Sequence, residues 1–262
     1  MPYPTAEQLD EAGLRIDADG PILTVTLDRP DVRNAQTPAM WRALAAIGEA
    51  IDTDVRVVVV RGVGAAFSAG LDRRLMTPEG IAGELTFAEI AALSDDEALA
   101  QIATFQSAFT WWRRPDILSV AAVQGAAVGA GFQLALACDL RVIAEDARFC
   151  MREPTLGLVP DLGGTKPLVE ILGYAGALEV CATGRWIEAR EAVESGLATV
   201  CVPSDELNGT VADLVAALAV APAGAVQATK ALLVDAAGRS YDAQLDAERR
   251  AQLGRLRDLT NG

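Results

Sequence analysis

The chain has 262 residues, 51 % of them apolar, enough for one large α/β domain with a sizeable core. Its 22 Lys and Arg face 36 Asp and Glu, and the resulting charge of −14 argues against general nucleic-acid binding, which needs a basic face. Histidine is absent, which excludes Ser-His-Asp and Cys-His catalysis and most zinc enzymes.

Along the chain, the acidic start MPYPTAEQLDEAG lacks the basic end and apolar run of a signal peptide. Residues 21–30 alternate and predict a strand ending at a proline turn. Thr37 reads as an N-cap with Pro38 at the first helical position, opening a helix to about Ile51. The β-branched run 55–62 predicts a strand covered on both faces. A glycine-punctuated loop follows over 63–74, then an acidic surface excursion over 75–97 with short helical pieces. A helix is expected over 98–112. Residues 117–138 carry no charge, yet three glycines and two glutamines interrupt them. They read as a buried strand over 117–123, a glycine loop and a helix over 131–138, rather than a membrane span. Short strands at 140–145 and 148–151, a turn-rich loop at 154–165, helices through most of 166–196, and a strand at 198–202 complete the alternation. From 205 to about 258 the pattern is helical and Ala-rich. Of the four cysteines, Cys138, Cys150, Cys181 and Cys201, three lie among apolar residues and read as buried small hydrophobes. No metal-ligating cluster stands out, and a reducing cytosol is the expected setting.

Three glycine-bearing loops, 62–72, 125–131 and 157–164, border predicted strands. None fits GxGxxG, a P-loop or GxSxG. What remains at 129–131 is a glycine loop opening a helix. The first N–H groups of that helix have no intrahelical partner and could stabilise a developing oxyanion. A tight strand-to-helix turn that needs glycine for packing is the competing reading.

Five stretches together carry a resemblance: LDRPDVRNAQT (27–37), VRVVVVRGVGAAFSAGLD (55–72), VQGAAVGAGFQLALACDLRVIAEDARF (123–149), EPTLGLVPDLGGTKPL (153–168) and ATGRWIEAREAVESGLATVCV (182–202). In this order they resemble the crotonase (enoyl-CoA hydratase/isomerase) superfamily. The resemblance implies an α/β fold with a ββα spiral core over 1–202. A helical C-terminal region over 203–262 would serve oligomerisation and partly cover the active site. It implies a cytoplasmic homotrimer or hexamer acting on an acyl-CoA thioester, with no cofactor beyond the CoA of the substrate and no nucleic-acid or membrane partner. By motif position, the backbone N–H groups of Leu71 and Ala130 would hold the thioester oxygen. Arg29, Arg33, Asn34, Ala35, Ala66, Ser68, Ala69, Asp72 and Arg73 would form the CoA strip, with Arg74 beside them.

The chain departs from the two-glutamate hydratase pattern. The first acid position is Gln133, and the second matches Glu153. An amide can orient a water or a carbonyl but cannot take a proton at neutral pH. One carboxylate suffices for a Δ3,Δ2-enoyl-CoA isomerase, whereas Glu153 with Asp161 resembles the acid pair of dienoyl-CoA isomerases. Hydration of an enoyl-CoA and non-catalytic acyl-CoA binding are also compatible with these residues. Residues 75–115, with Phe87, Phe105, Phe109, Trp111 and Trp112, are expected to shape the acyl pocket. The chain lacks the further C-terminal helix of many relatives, so a lid over CoA is expected to be missing or supplied by a neighbouring subunit.

Overall fold

The computed structural model describes residues 2–261, so Met1 and Gly262, the ends of the two expected regions, lie outside the described residues. A six-stranded sheet has the order β1 (Leu14–Asp19), β2 (Ile22–Leu27), β3 (Val57–Gly62), β4 (Leu118–Val123), β6 (Leu140–Ala144), β9 (Val200–Val202). The β1–β2 hairpin is antiparallel and every other pair is parallel. A second sheet joins β5 (Ala126–Val128), β7 (Arg148–Cys150) and β8 (Ile187–Glu188). Residues 66–71 bridge the parts: Ser68 pairs with Ala127, and Leu71 pairs with Gln36. Each turn of the chain thus lays a strand in the large sheet and an extended piece beside it, the expected ββα spiral.

The run of valines in β3 shows why a strand without polar alternation forms here. Val58 and Val60 enter a core with helices α2 (Pro38–Ala50) and α5 (Ala130–Ala137). Val57 and Val59 face the opposite side and meet Leu207, Val211 and Val215 of α8 (Leu207–Val220). β4 and β6 split in the same way, so α8 belongs to the packing of the sheet itself. The expected division at 202 falls between β9 and α8.

The remaining helices are α1 (Ala6–Ala12), α3 (Phe87–Ala92), α4 (Asp95–Thr110), α6 (Thr165–Thr183), α7 (Ala189–Glu194), α9 (Ala223–Ala236) and α10 (Tyr241–Asn261). Thr37 caps α2, accepting from the Met40 N–H at 3.2 Å. α4 starts at 95 rather than 98, because Ser94 and Glu97 form a reciprocal capping box. The helical stretch after 164 is interrupted by the short strand β8 and by a kink at Gly173. Cys138 and Cys150 are buried, but Cys181 and Cys201 are only half-buried, one fewer buried than expected. No single helix among the described residues is long and apolar enough to cross a membrane.

Candidate active site

The site forms where the glycine loop, the 66–71 strip and the turn after β7 converge. Helix α5 is entirely buried and starts after Gly129, whose φ of 50° and ψ of −117° suit glycine alone. The Gly129 N–H donates to the Cys150 carbonyl at 2.8 Å, tying the loop to the end of β7. Gly70 permits the second approach: a Cβ there would sit 2.4 Å from the Val128 carbonyl oxygen and 3.5 Å from the Ala130 nitrogen. The loop bearing Leu71 therefore lies directly against the first residue of α5. Neither the Leu71 nor the Ala130 N–H donates to another protein group among the described residues.

Glu153 opens a short 3-10 turn, Glu153–Leu156, three residues past β7. Its carboxylate lies beside Gly129, where a Cβ would come within 3.1 Å of Oε1. Gln133, fully buried one turn into α5, donates from Nε2 to Glu153 Oε1 at 2.6 Å. Its Oε1 accepts from the Leu162 N–H at 2.9 Å and the Gly164 N–H at 3.2 Å. Glu153 Oε2 is buried and has no partner among the described residues. Burial pushes the Glu153 carboxyl above the usual glutamate range; the charge of Asp161 adds to this, and the Gln133 hydrogen bond opposes it. Burial likewise raises Asp161. The Asp161 carbonyl accepts from Gln106 Nε2 of α4 at 2.7 Å, which fixes this loop against the helix.

Glu153 and Asp161 line one cavity of about 430 Å³, together with Leu71, Ala130 and Arg73, whereas Gln133 does not border it. Apolar side chains from 75–115 form much of its wall, among them Phe87, Ile90, Ile102 and Phe105. Phe109 does not line it. Trp111 and Trp112 stack on each other, centroids 3.9 Å apart, inside the core. Trp41, not singled out from sequence, does line it, with its indole N–H held by Gln36 Oε1 at 2.8 Å.

The expected CoA strip divides by exposure. The Asn34 and Ser68 side chains are fully buried and bonded within the loops: Asn34 Nδ2 reaches the Val63 and Ala66 carbonyls, and Ser68 Oγ donates to the Asn34 carbonyl. Neither borders the cavity. Ala35 and Ala66 are buried beside them. Arg29 is turned inward, onto the Ala35 carbonyl and Asp72. Hydrogen bonds from Arg74, reinforced by Arg29, hold the Asp72 carboxyl down to about 2. Ala69 and Arg73 border the cavity, and Arg33 is exposed nearby.

Residues 17–255 match the family model for enoyl-CoA hydratase/isomerase. A putative enoyl-CoA hydratase from Thermobifida fusca YX, solved with acetoacetyl-CoA, is 47 % identical with a TM-score of 0.94, covering 98 % of this chain and 99 % of that one. A probable mitochondrial enoyl-CoA hydratase 2 of Arabidopsis thaliana is 34 % identical over 73 % of this chain but only 60 % of its own length. The mitochondrial Delta(3,5)-Delta(2,4)-dienoyl-CoA isomerase of Rattus norvegicus is 34 % identical, over 86 % of this chain and 69 % of its own. With the ββα spiral and the matched motifs, these similarities establish that the chain belongs to the enoyl-CoA hydratase/isomerase family, the crotonase superfamily.

Proposed function

We propose that the protein is an acyl-CoA enzyme that stabilises a thioester enolate and moves a proton with one glutamate, as a Δ3,Δ2-enoyl-CoA isomerase does. One observation carries the reading. Glu153, with its Oε2 buried and unpartnered, lines the same cavity as Leu71 and Ala130, whose N–H groups have no partner among the described residues, while the other acid position is an amide bonded to Glu153. Relatives from Thermobifida fusca solved with CoA and with acetoacetyl-CoA support a CoA thioester as ligand. In this reading Ala69 and Arg73, at the border of the cavity, and the exposed Arg33 meet its CoA portion.

In this mechanism the Leu71 and Ala130 N–H groups hold the thioester oxygen. Glu153 Oε2 takes a proton from C2, and the C2–H electron pair forms a dienolate. The same oxygen returns the proton to C4, leaving the C2=C3 double bond, so atoms and charge balance without a co-reactant. A preorganised donor contributes about 3 kcal/mol to such a transition state. Burial favours this chemistry by raising Glu153 toward the basicity a general base needs.

A second reading rests on Asp161, whose carboxyl-bearing residue lines the same cavity and adds charge near Glu153. The pair would serve a 3,5-dienoyl-CoA, with one acid removing and the other delivering a proton. The test offers trans-2-enoyl-, 3-enoyl- and 3,5-dienoyl-CoA to the protein and follows absorbance. Turnover of the 3-enoyl ester, reduced by roughly 10²- to 10⁴-fold in Glu153→Gln, is expected. Preference for the dienoyl ester with dependence on Asp161 favours the second reading. Hydration as the main activity overturns both, and ester binding with no turnover of any substrate marks a binding protein.

A further inference from the structure

The Gln133 amide is oriented by its surroundings. Two backbone N–H donors, from Leu162 and Gly164, converge on one terminal atom, which must be the oxygen. The NH₂ end then faces Glu153 Oε1 at 2.6 Å, and the carboxylate cannot rotate without breaking that bond. Glu153 Oε1 is occupied, and Oε2 alone is left unpartnered. Gln133 has no exposure, so no solvent competes for these contacts.

We propose that Gln133 is a positioning residue: it ties Glu153 to α5 and, through its own amide oxygen, to the 161–164 loop, leaving Oε2 as the one oxygen that exchanges protons. This rests on the reading of Glu153 as the proton carrier. The consequence is geometric and electrostatic together. A proton lifted at C2 and returned at C4 leaves and arrives at one fixed atom. The clamp is also neutral: it donates to the anion, opposing the burial that raises Glu153, and it neither repels the carboxylate nor competes for the proton. The other charged or titratable groups near Glu153 are Asp161, Arg152 and Arg73 around the cavity, and Cys150 and Cys181 behind it.

Two substitutions test this. Gln133→Met removes the donor and both acceptor contacts. Gln133→Glu keeps an acceptor for the Leu162 and Gly164 N–H groups, but its second oxygen donates to Glu153 only while the carboxyl pair carries a shared proton. Turnover of 3-enoyl-CoA is measured from roughly pH 5 to 9, with thermal melts and a ¹³C NMR titration of Glu153 without substrate. In Gln133→Met, kcat is expected to fall roughly 10- to 100-fold with KM little changed. Its acid limb and the Glu153 titration both move to higher pH. In Gln133→Glu, kcat recovers while the pair is singly protonated and falls as that proton is lost, a basic limb absent from the parent protein. If both variants keep the parent pH profile and Glu153 titration and change only in melting temperature, the clamp is a packing contact and the proposal fails. If Gln133→Met does not fold, the basic limb of Gln133→Glu decides alone. Undiminished turnover in Glu153→Gln instead strikes the underlying reading of Glu153, whereas a Glu153 titration that ignores Gln133 strikes only the clamp.

Discussion

Glu153 is held in a state that costs the fold something. Its carboxyl is desolvated, one oxygen lacks a partner, and its ionisation is displaced upward. The sign follows by linkage. A carboxyl raised in the native state binds its proton more tightly folded than unfolded, so stability falls as pH rises through that interval and stays lower above it. Glu153→Gln is therefore expected to melt higher than the parent protein at neutral pH, while losing most of its turnover. The gain should vanish below about pH 4, where the acid is protonated in both states. Calorimetric melts across that range check it, and an equal gain at all pH values would mean that the charge is not the cause. The position of Glu153 was legible because its motif could be counted from both sides. The bond to Gln133 was not, because the orienting N–H groups lie 29 and 31 residues downstream and nothing local links them.

At the level of elements, the site depends on how closely two loops can approach. Gly129→Ala puts a Cβ on a residue at φ 50° and 3.1 Å from the Glu153 carboxylate. The backbone strain costs on the order of 1–3 kcal/mol. If the displaced carboxylate is the proton carrier proposed above, kcat is expected to fall roughly 100-fold, well beyond what the stability loss would suggest. Gly254→Ala is the matched control: it lies within α10 with nothing near its added methyl, so it should gain up to about 1 kcal/mol and leave turnover unchanged. Urea titration and initial rates on both variants separate strain from site geometry. The elements read correctly from sequence were those with a continuous apolar or capped pattern, such as β3 and α2. Those missed were α1, β1, β5 and β8, which are short or largely exposed and owe their form to pairing or local capping. Capping boxes at Thr5, Thr86 and Ser94 were present in the sequence as T/S-x-x-E/Q and would have fixed three helix starts.

Across the whole molecule, the C-terminal helix α9 is tied to the residue before β4 and to the turn after α5 by a buried charge. Lys230 of α9 is 6 % exposed, and its Nζ donates to the Ile117 carbonyl and to Asp139 Oδ2, both at 2.7 Å. Asp139 also accepts from the N–H and hydroxyl of Ser119 at the start of β4. The cation therefore sits near the C-terminal end of α5, opposite the end that faces the cavity, where the helix dipole favours positive charge. Composition and periodicity announced α9 as an Ala-rich helix but gave no hint of this contact, since 91 residues separate the partners. Lys230→Met removes the counter-charge while filling similar space, leaving Asp139 a carboxylate of low exposure with only Ser119 to satisfy it. The expected loss is about 3 kcal/mol, a substantial share of the roughly 5–15 kcal/mol that holds a domain folded. Most of this cost is the stranded anion rather than the vanished bond. The double variant Lys230→Met with Asp139→Asn should therefore recover part of it, because the asparagine oxygen still accepts from Ser119 and carries no charge. Urea midpoints of the parent, both single variants and the double variant close this cycle. Additive losses would show that Lys230 and Asp139 act independently, and that the charge pair does not hold α9 to the sheet.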